Sequence, residues 1–315
     1  MDMNKKPEID LSIDGSGNKD NESIKKEENV DITVPEESKD IKNENDDTDG
    51  NQNTVNNQIS VNDKKAPIIM LFGPRSSGKT MALIRLSRYL RKLSFTIVPD
   101  STFKSDADYR EKCEMFMQNI DTENALPGTA YTDFLLLQVS KNGGTICQFL
   151  EAPGEHYFDL SNIGVTNFPP YMTQIIRTLP NRKIWVFVAE VHWEVSQKTR
   201  QAYINRIRNC KNMLANQYDR FLILYNKIDK REELFKDGHI ITRAAETKMR
   251  NEFPGLVDVF KNTHPITSLY RSYNYKFVPF CTGYYSKSVN GLTYIESEDR
   301  YPKMLWNALL KCIRG

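Results

Sequence analysis

Residues 73 to 80, Gly73-Pro74-Arg75-Ser76-Ser77-Gly78-Lys79-Thr80, read G-x-x-x-x-G-K-T directly after the apolar run Ile68-Ile69-Met70-Leu71-Phe72. That spacing suits the binding of a polyphosphate. Gly73 and Gly78 let the backbone turn tightly, so that the successive N–H groups of Arg75, Ser76, Ser77 and Gly78 face the anion. Lys79 can reach the terminal phosphates, and the Thr80 hydroxyl can ligate Mg²⁺. The run Met81-Ala82-Leu83-Ile84-Arg85-Leu86 that follows is amphipathic, and a helix starting at Lys79 would point its positive end at the same phosphates. Three further polar clusters stand just after apolar runs: Glu151-Ala152-Pro153-Gly154-Glu155-His156, Asn226-Lys227-Ile228-Asp229 and Cys281-Thr282-Gly283.

Loops of this kind act together only if a scaffold brings them to one place. Periodicity from residue 66 onward alternates strand and helix. Residues 67–72 read as the first strand and 79–92 as the first helix. Residues 95–98 read as a short strand and 106–118 as a helix with Tyr109, Cys113 and Phe116 on one face; 119–131 read as loop. The apolar runs 134–139 and 145–150 flank Lys-Asn-Gly-Gly, a hairpin signal. Strands at 183–191 and 221–225 enclose a helix at 196–214, and a last strand at 276–281 precedes a closing helix at 301–313. The expectation is an α/β, three-layer P-loop fold: a mostly parallel sheet with one antiparallel hairpin strand and helices on both faces. In such sheets ligands bind at the carboxyl ends of the strands, where all four polar clusters fall.

Composition divides the chain. Residues 1 to 65 carry 17 acidic and 9 basic side chains, a net −8 against +2 for the whole, which leaves +10 for residues 66 to 315. The first aromatic residue is Phe72, so residues 1–65 are read as a disordered acidic tail that cannot bury enough apolar surface to fold. Lys198, Arg200, Arg206, Arg208 and Lys211 cluster on one expected helix and read as a solvated face. No run is long and apolar enough for a membrane span. Five scattered cysteines without a C-x-x-C pair argue against a disulfide frame or zinc site and for a reducing, cytoplasmic setting.

The ordered motifs of residues 66 to 315 resemble the P-loop GTPases of the Ras-like and translation-factor class, of which this chain is a divergent example. The resemblance implies that Asp229 accepts hydrogen bonds from the guanine N1–H and 2-amino group, a pairing adenine cannot offer. It implies that Asn226 braces the loop, that Lys227 lays its aliphatic stem along the base, and that the Thr282 amide faces the guanine O6. The match at Cys281-Thr282-Gly283 is loose, since the family prefers Ser-Ala-Lys. GTP or GDP with Mg²⁺ would then be the ligands. Gly154 would sense the γ-phosphate and Glu151 would stand where the family has a metal-orienting aspartate. Thr129 and Thr132 both lie in the loop where the family has a switch threonine that ligates Mg²⁺; Thr129 has the better spacing to Glu151, and the alternative is that neither binds metal.

Three departures qualify that likeness. Glu155, with His156 behind it, occupies the position of the family's water-orienting residue; either could act as base, or both could be solvated. Arg75 replaces the usual glycine and could supply positive charge in cis or point to solvent. An insert near 94–123 and a long stretch 157–170 offer surfaces for a protein effector or regulator. The expected function is therefore a Mg²⁺-dependent GTP-hydrolysing molecular switch. The alternatives are a hydrolysis-deficient scaffold and an ATP-using P-loop NTPase or kinase. No direct nucleic-acid partner is expected, and the oligomeric state is open.

Overall fold

The apolar run that precedes the phosphate loop forms strand β1 (Ile68–Phe72), and all five of its residues are buried. A strand enclosed on both faces has no solvated side, which is why it reads as a continuous hydrophobic block rather than an alternation. The structure is a computed structural model that describes residues 60–104, 107–121, 134–164, 168, 170–263, 272–288 and 291–315, all within one compact unit, Val55–Gly315.

In chain order, β1 leads into α1 (Lys79–Lys92), β2 (Thr96–Pro99), α2 (Ala107–Asp121), β3 (Leu135–Lys141), β4 (Gly144–Glu151) and the one-turn α3 (Gly154–Tyr157). There follow α4 (Pro170–Thr178), β5 (Lys183–Glu190), α5 (Gln197–Met213) and β6 (Arg220–Asn226). A small hairpin of β7 (Phe235–Lys236) and β8 (His239–Ile240), helix α6 (Thr242–Glu252) and strand β9 (Lys276–Pro279) come next. A second hairpin, β10 (Gly283–Ser288) and β11 (Gly291–Glu296), precedes the final helix α7 (Arg300–Arg314).

Seven strands make the main sheet in the order β2-β3-β4-β1-β5-β6-β9. Strands β4, β1, β5, β6 and β9 run parallel. Strand β3 runs against both its neighbours, so a single reversed strand creates two antiparallel pairs rather than the one expected from the hairpin alone. The second pair arises because β2, inside the insert near 94–123, joins the sheet as its edge strand. Its helix α2 packs on α1 and β3. Helix α1 also packs on α7, which reaches β5, β6 and β9.

The other face of β1 is aromatic: Phe72 lies 4.7 Å from the Tyr157 ring centroid and 5.2 Å from that of Phe187. There the buried Tyr203 of α5 donates from its hydroxyl to Val188 O at 2.9 Å and to Phe72 O at 3.3 Å. A side chain from the helix layer thus ties down the carboxyl ends of two adjacent strands at the mouth of the phosphate loop.

Two expectations are corrected. Residues 60–65, assigned from composition to the acidic tail, lie against the sheet. Val61 is buried, Asn62 N donates to the Asp100 carboxylate at 2.8 Å, and Asp63 O accepts from Gln148 and Asn181, each at 2.8 Å. The basic side chains of α5 do not form one solvated face either. Arg206 is 6% exposed, its Nε donating to Tyr157 O at 2.8 Å and its guanidinium standing 3.7 Å over the Phe168 ring, while Lys211 Nζ donates to Val259 O at 2.8 Å. The five cysteines are free thiols, and among the described residues no helix is long and apolar enough to cross a membrane.

Candidate functional site

The five parallel strands deliver their carboxyl ends to one edge of the sheet, and the phosphate loop sits at its centre. Gly78 adopts φ 85°, and a Cβ there would lie 2.4 Å from Asn226 Nδ2, so both conformation and space demand glycine. Ser77 donates from its hydroxyl to Pro74 O at 2.9 Å, and Lys79 Nζ donates to the same carbonyl at 3.0 Å. Both bonds close the loop on itself. Ser76 takes φ 62°, helping to turn the peptides between Pro74 and Gly78, and the first turn of α1 carries no acidic side chain to oppose an anion.

The loop after β4 approaches from one side. Glu151 is 3% exposed and its Oε1 accepts from the Thr80 hydroxyl at 2.7 Å, while Oε2 has no hydrogen-bond partner among the described residues. Burial raises the Glu151 pKa above the ordinary carboxyl value, and the Lys79 ammonium and the Thr80 hydroxyl partly offset that rise. Three residues on, a Cβ at Gly154 would lie 2.2 Å from Arg75 N and 2.5 Å from Pro74 C. The loop after β4 therefore rests directly on the phosphate-loop backbone, and only glycine permits that approach.

The loops after β5 and β6 close the opposite side. Asn226 is fully buried; its Nδ2 donates to Ser77 O at 3.0 Å and its Oδ1 has no hydrogen-bond partner among the described residues. Lys227 adopts φ 62° and its Nζ donates to Ser76 O at 3.1 Å and to the Glu190 carboxylate. Lys230 Nζ lies 3.9 Å from the same carboxylate. Asp229 is exposed in the 3₁₀ turn Ile228–Lys230. The Cys281 thiol after β9 is pushed up to about 12, by burial first and then by the Asp229 carboxylate beside it. The ends of β1, β4, β6 and β9 thus meet around one loop. The fold is that of a P-loop protein.

Most of the expected site residues converge in this P-loop fold: Gly73 to Thr80, Glu151, Gly154, Asn226, Lys227, Asp229, Cys281 and Thr282. Arg75 holds its place in the loop with an exposed side chain. His156 packs its ring 5.4 Å from that of Phe134 at the start of β3. Thr129 and Thr132, and the side chain of Glu155, lie outside the described residues. Sequence reasoning missed Glu190, the last residue of β5. A single acidic residue ending an apolar run was the available signal. It also missed Tyr157, whose buried hydroxyl is unpartnered and whose pKa is raised well above normal by burial and then by nearby Glu151.

No protein-family model matches the sequence, and no curated protein matches it significantly. Among solved structures, the chain is similar to one described as nucleolar GTP-binding protein 1 of Plasmodium falciparum, at 15% identity and a TM-score of 0.36 over 80% of this chain and 90% of that one. It is similar to the RocCORdC portion of Roco2 from Methanosarcina barkeri bound to GDP, at 11% identity and a TM-score of 0.34, over 83% of this chain and 52% of that one. The signal recognition particle receptor SRb-GTP/SRX complex of Chaetomium thermophilum gives 10% identity and a TM-score of 0.35 over 69% and 91%. Scores this low leave the functional reading to the residues of this P-loop protein.

Proposed function

We propose that this chain binds guanine nucleotides with Mg²⁺ and hydrolyses GTP as a molecular switch. The observation that carries the proposal is the pair of bonds from the Asn226-Lys227-Ile228-Asp229 loop to the phosphate loop, Asn226 Nδ2 to Ser77 O and Lys227 Nζ to Ser76 O. A chance polar turn has no reason to lock onto the element that holds phosphates. This one would set the Asp229 carboxylate at a defined distance from the phosphate cradle, as a nucleoside polyphosphate requires.

Two buried oxygens without protein partners, Asn226 Oδ1 and Glu151 Oε2, support a ligand-filled site, since each such orphan costs about 1–3 kcal/mol until something pairs with it. Thr80 and Glu151 would hold Mg²⁺ between them, jointly with the phosphates; Thr129 would join when the γ-phosphate is present. The cation neutralises charge on the phosphate oxygens when bound. Among the described residues no group of three His, Cys, Asp or Glu side chains gathers.

Lys79 would bind the terminal phosphates and stabilise charge developing on the leaving group, with the Gly154 amide against the γ-phosphate. Glu155 or His156 would orient the attacking water, and Arg75 would add positive charge from its own loop. Asp229 would select guanine, and the Lys227 stem and Thr282 would complete the base pocket. The insert near 94–123 and the stretch 157–170 would present the surface to an effector or regulator.

A second reading, a nucleotide-binding scaffold without turnover, is favoured by the anchoring of the segment after Gly154. Tyr157 and Phe158 are buried in the aromatic core, and Arg206 holds the Tyr157 carbonyl, an unusual degree of fixation for a switch. A phosphate-release assay separates the two. The switch reading predicts GTP turnover that is slow yet clearly above that of Lys79→Ala. Turnover equal to that control, with GTP still bound by the wild type, establishes the scaffold instead.

A further inference from the structure

Within Cys281-Thr282-Gly283 the contact toward Asp229 comes from the Cys281 thiol, a weak donor. The brace comes instead from the hairpin that follows. Ser297, just past β11, donates from its hydroxyl to Cys281 O at 2.6 Å and from its amide to Thr282 O at 3.3 Å. The Tyr294 hydroxyl donates to Thr282 O as well.

That bracing element is itself anchored to the helix that begins at the phosphate loop. Ser297 O accepts from Arg85 Nη2 at 2.7 Å and from Nε at 3.2 Å. The Arg85 side chain is 1% exposed, and its Nη2 pairs with Asp299 at 2.6 Å. One turn further along α1, Arg88 pairs with Glu296 at the end of β11. A continuous set of hydrogen bonds therefore runs from α1 through Ser297 to the backbone after β9. A buried arginine with paired carboxylates is costly to break, so this link is stiff.

We propose that Ser297 and Tyr294 are positioning residues for purine recognition: they set the peptide at Thr282 against the 6-oxo edge of the base, and Arg85 registers that edge to the phosphate loop. The inference rests on the guanine reading above. It goes beyond that reading in assigning the placement of the Thr282 amide to the hairpin.

The test compares three nucleotides by equilibrium displacement of a fluorescent GDP analogue from the full-length protein. They are GDP, inosine diphosphate, which keeps N1–H and the 6-oxo group but lacks the 2-amino group, and 2-aminopurine riboside diphosphate, which lacks the 6-oxo group and with it the N1–H. Ser297→Ala is expected to weaken GDP about fivefold or more and to narrow the gap between GDP and the 2-aminopurine nucleotide. The gap between GDP and inosine diphosphate, which reports on Asp229, is expected to stay within twofold. Equal weakening of all three nucleotides, or no weakening, overturns the proposal. Should Ser297→Ala fail to fold, Tyr294→Phe removes only the hydroxyl to Thr282 O and is expected to give the same pattern. A wild type that prefers GDP to neither analogue overturns the guanine reading itself, and with it this inference.

Discussion

Replacing Gly154 by alanine puts the relation between the phosphate loop and the loop after β4 to a direct test. The new Cβ would stand 2.2 Å from Arg75 N, 2.5 Å from Pro74 C and 2.6 Å from Arg75 Cα, where ordinary contact begins near 3.4 Å. All three neighbours are backbone, so no rotamer change relieves the clash, and the two loops must part by about 1 Å. Overpacking of this kind costs about 1–3 kcal/mol. A ligand that needs both loops in place should lose that much affinity, about 5- to 150-fold. On the proposed function, GTP would meet this condition and GDP, without a γ-phosphate, would not. Dissociation constants for GDP and a non-hydrolysable GTP analogue should therefore diverge in Gly154→Ala, with the GTP analogue weakened by the larger factor. Thermal unfolding of the nucleotide-free protein separates this from general damage. If the two constants change in parallel, Gly154 is only a packing glycine and its role toward the γ-phosphate is refuted.

Glu190→Gln removes the carboxylate that holds Lys227 over the phosphate loop, and a partly exposed pair of this kind contributes about 1 kcal/mol, so guanine-nucleotide affinity should fall about fivefold. In a Lys227→Met background the same substitution should change affinity less than twofold; an undiminished effect there would show that Glu190 acts by another route. The hydrogen bond from Arg85 holds the Asp299 carboxyl below the usual aspartate value of 3.8, with Lys92 adding to the effect. A depressed carboxyl stabilises the fold above its unfolded pKa and loses that contribution as pH falls through the folded one. Asp299→Asn should accordingly lower the melting temperature at pH 7, and the gap from wild type should close as the pH is brought below 3.8; a gap independent of pH would exclude the ionic account.

The parallel strands were legible because burial on both faces leaves an unmistakable apolar block, as in Ile68–Phe72 and Lys183–Glu190. The glycine-rich loop and the Asn226-Lys227-Ile228-Asp229 turn were legible because each encodes its chemistry in consecutive residues. Glu190 was not, since its partner Lys227 is distant in sequence and nothing local marks a lone glutamate as paired. Arg206 was misassigned to a solvated face because charge alone does not reveal a guanidinium stacked on Phe168. Residues 60–65 look disordered by composition, yet Val61 and the backbone of Asp63 find partners on the sheet, which a compositional average cannot register.

The central claim is that Asp229 reads guanine while the phosphate loop holds the phosphates. Its most direct test is competition of ADP and GDP for a bound fluorescent GDP analogue, in wild type and in Asp229→Ala. A buried pairing with the guanine edge should reject the unpaired base by about 100-fold or more. ADP should then fail to displace the probe at 100-fold the effective GDP concentration, and Asp229→Ala should abolish that preference. Displacement by ADP at the same concentration as GDP, or a guanine preference that survives in Asp229→Ala, would contradict the account.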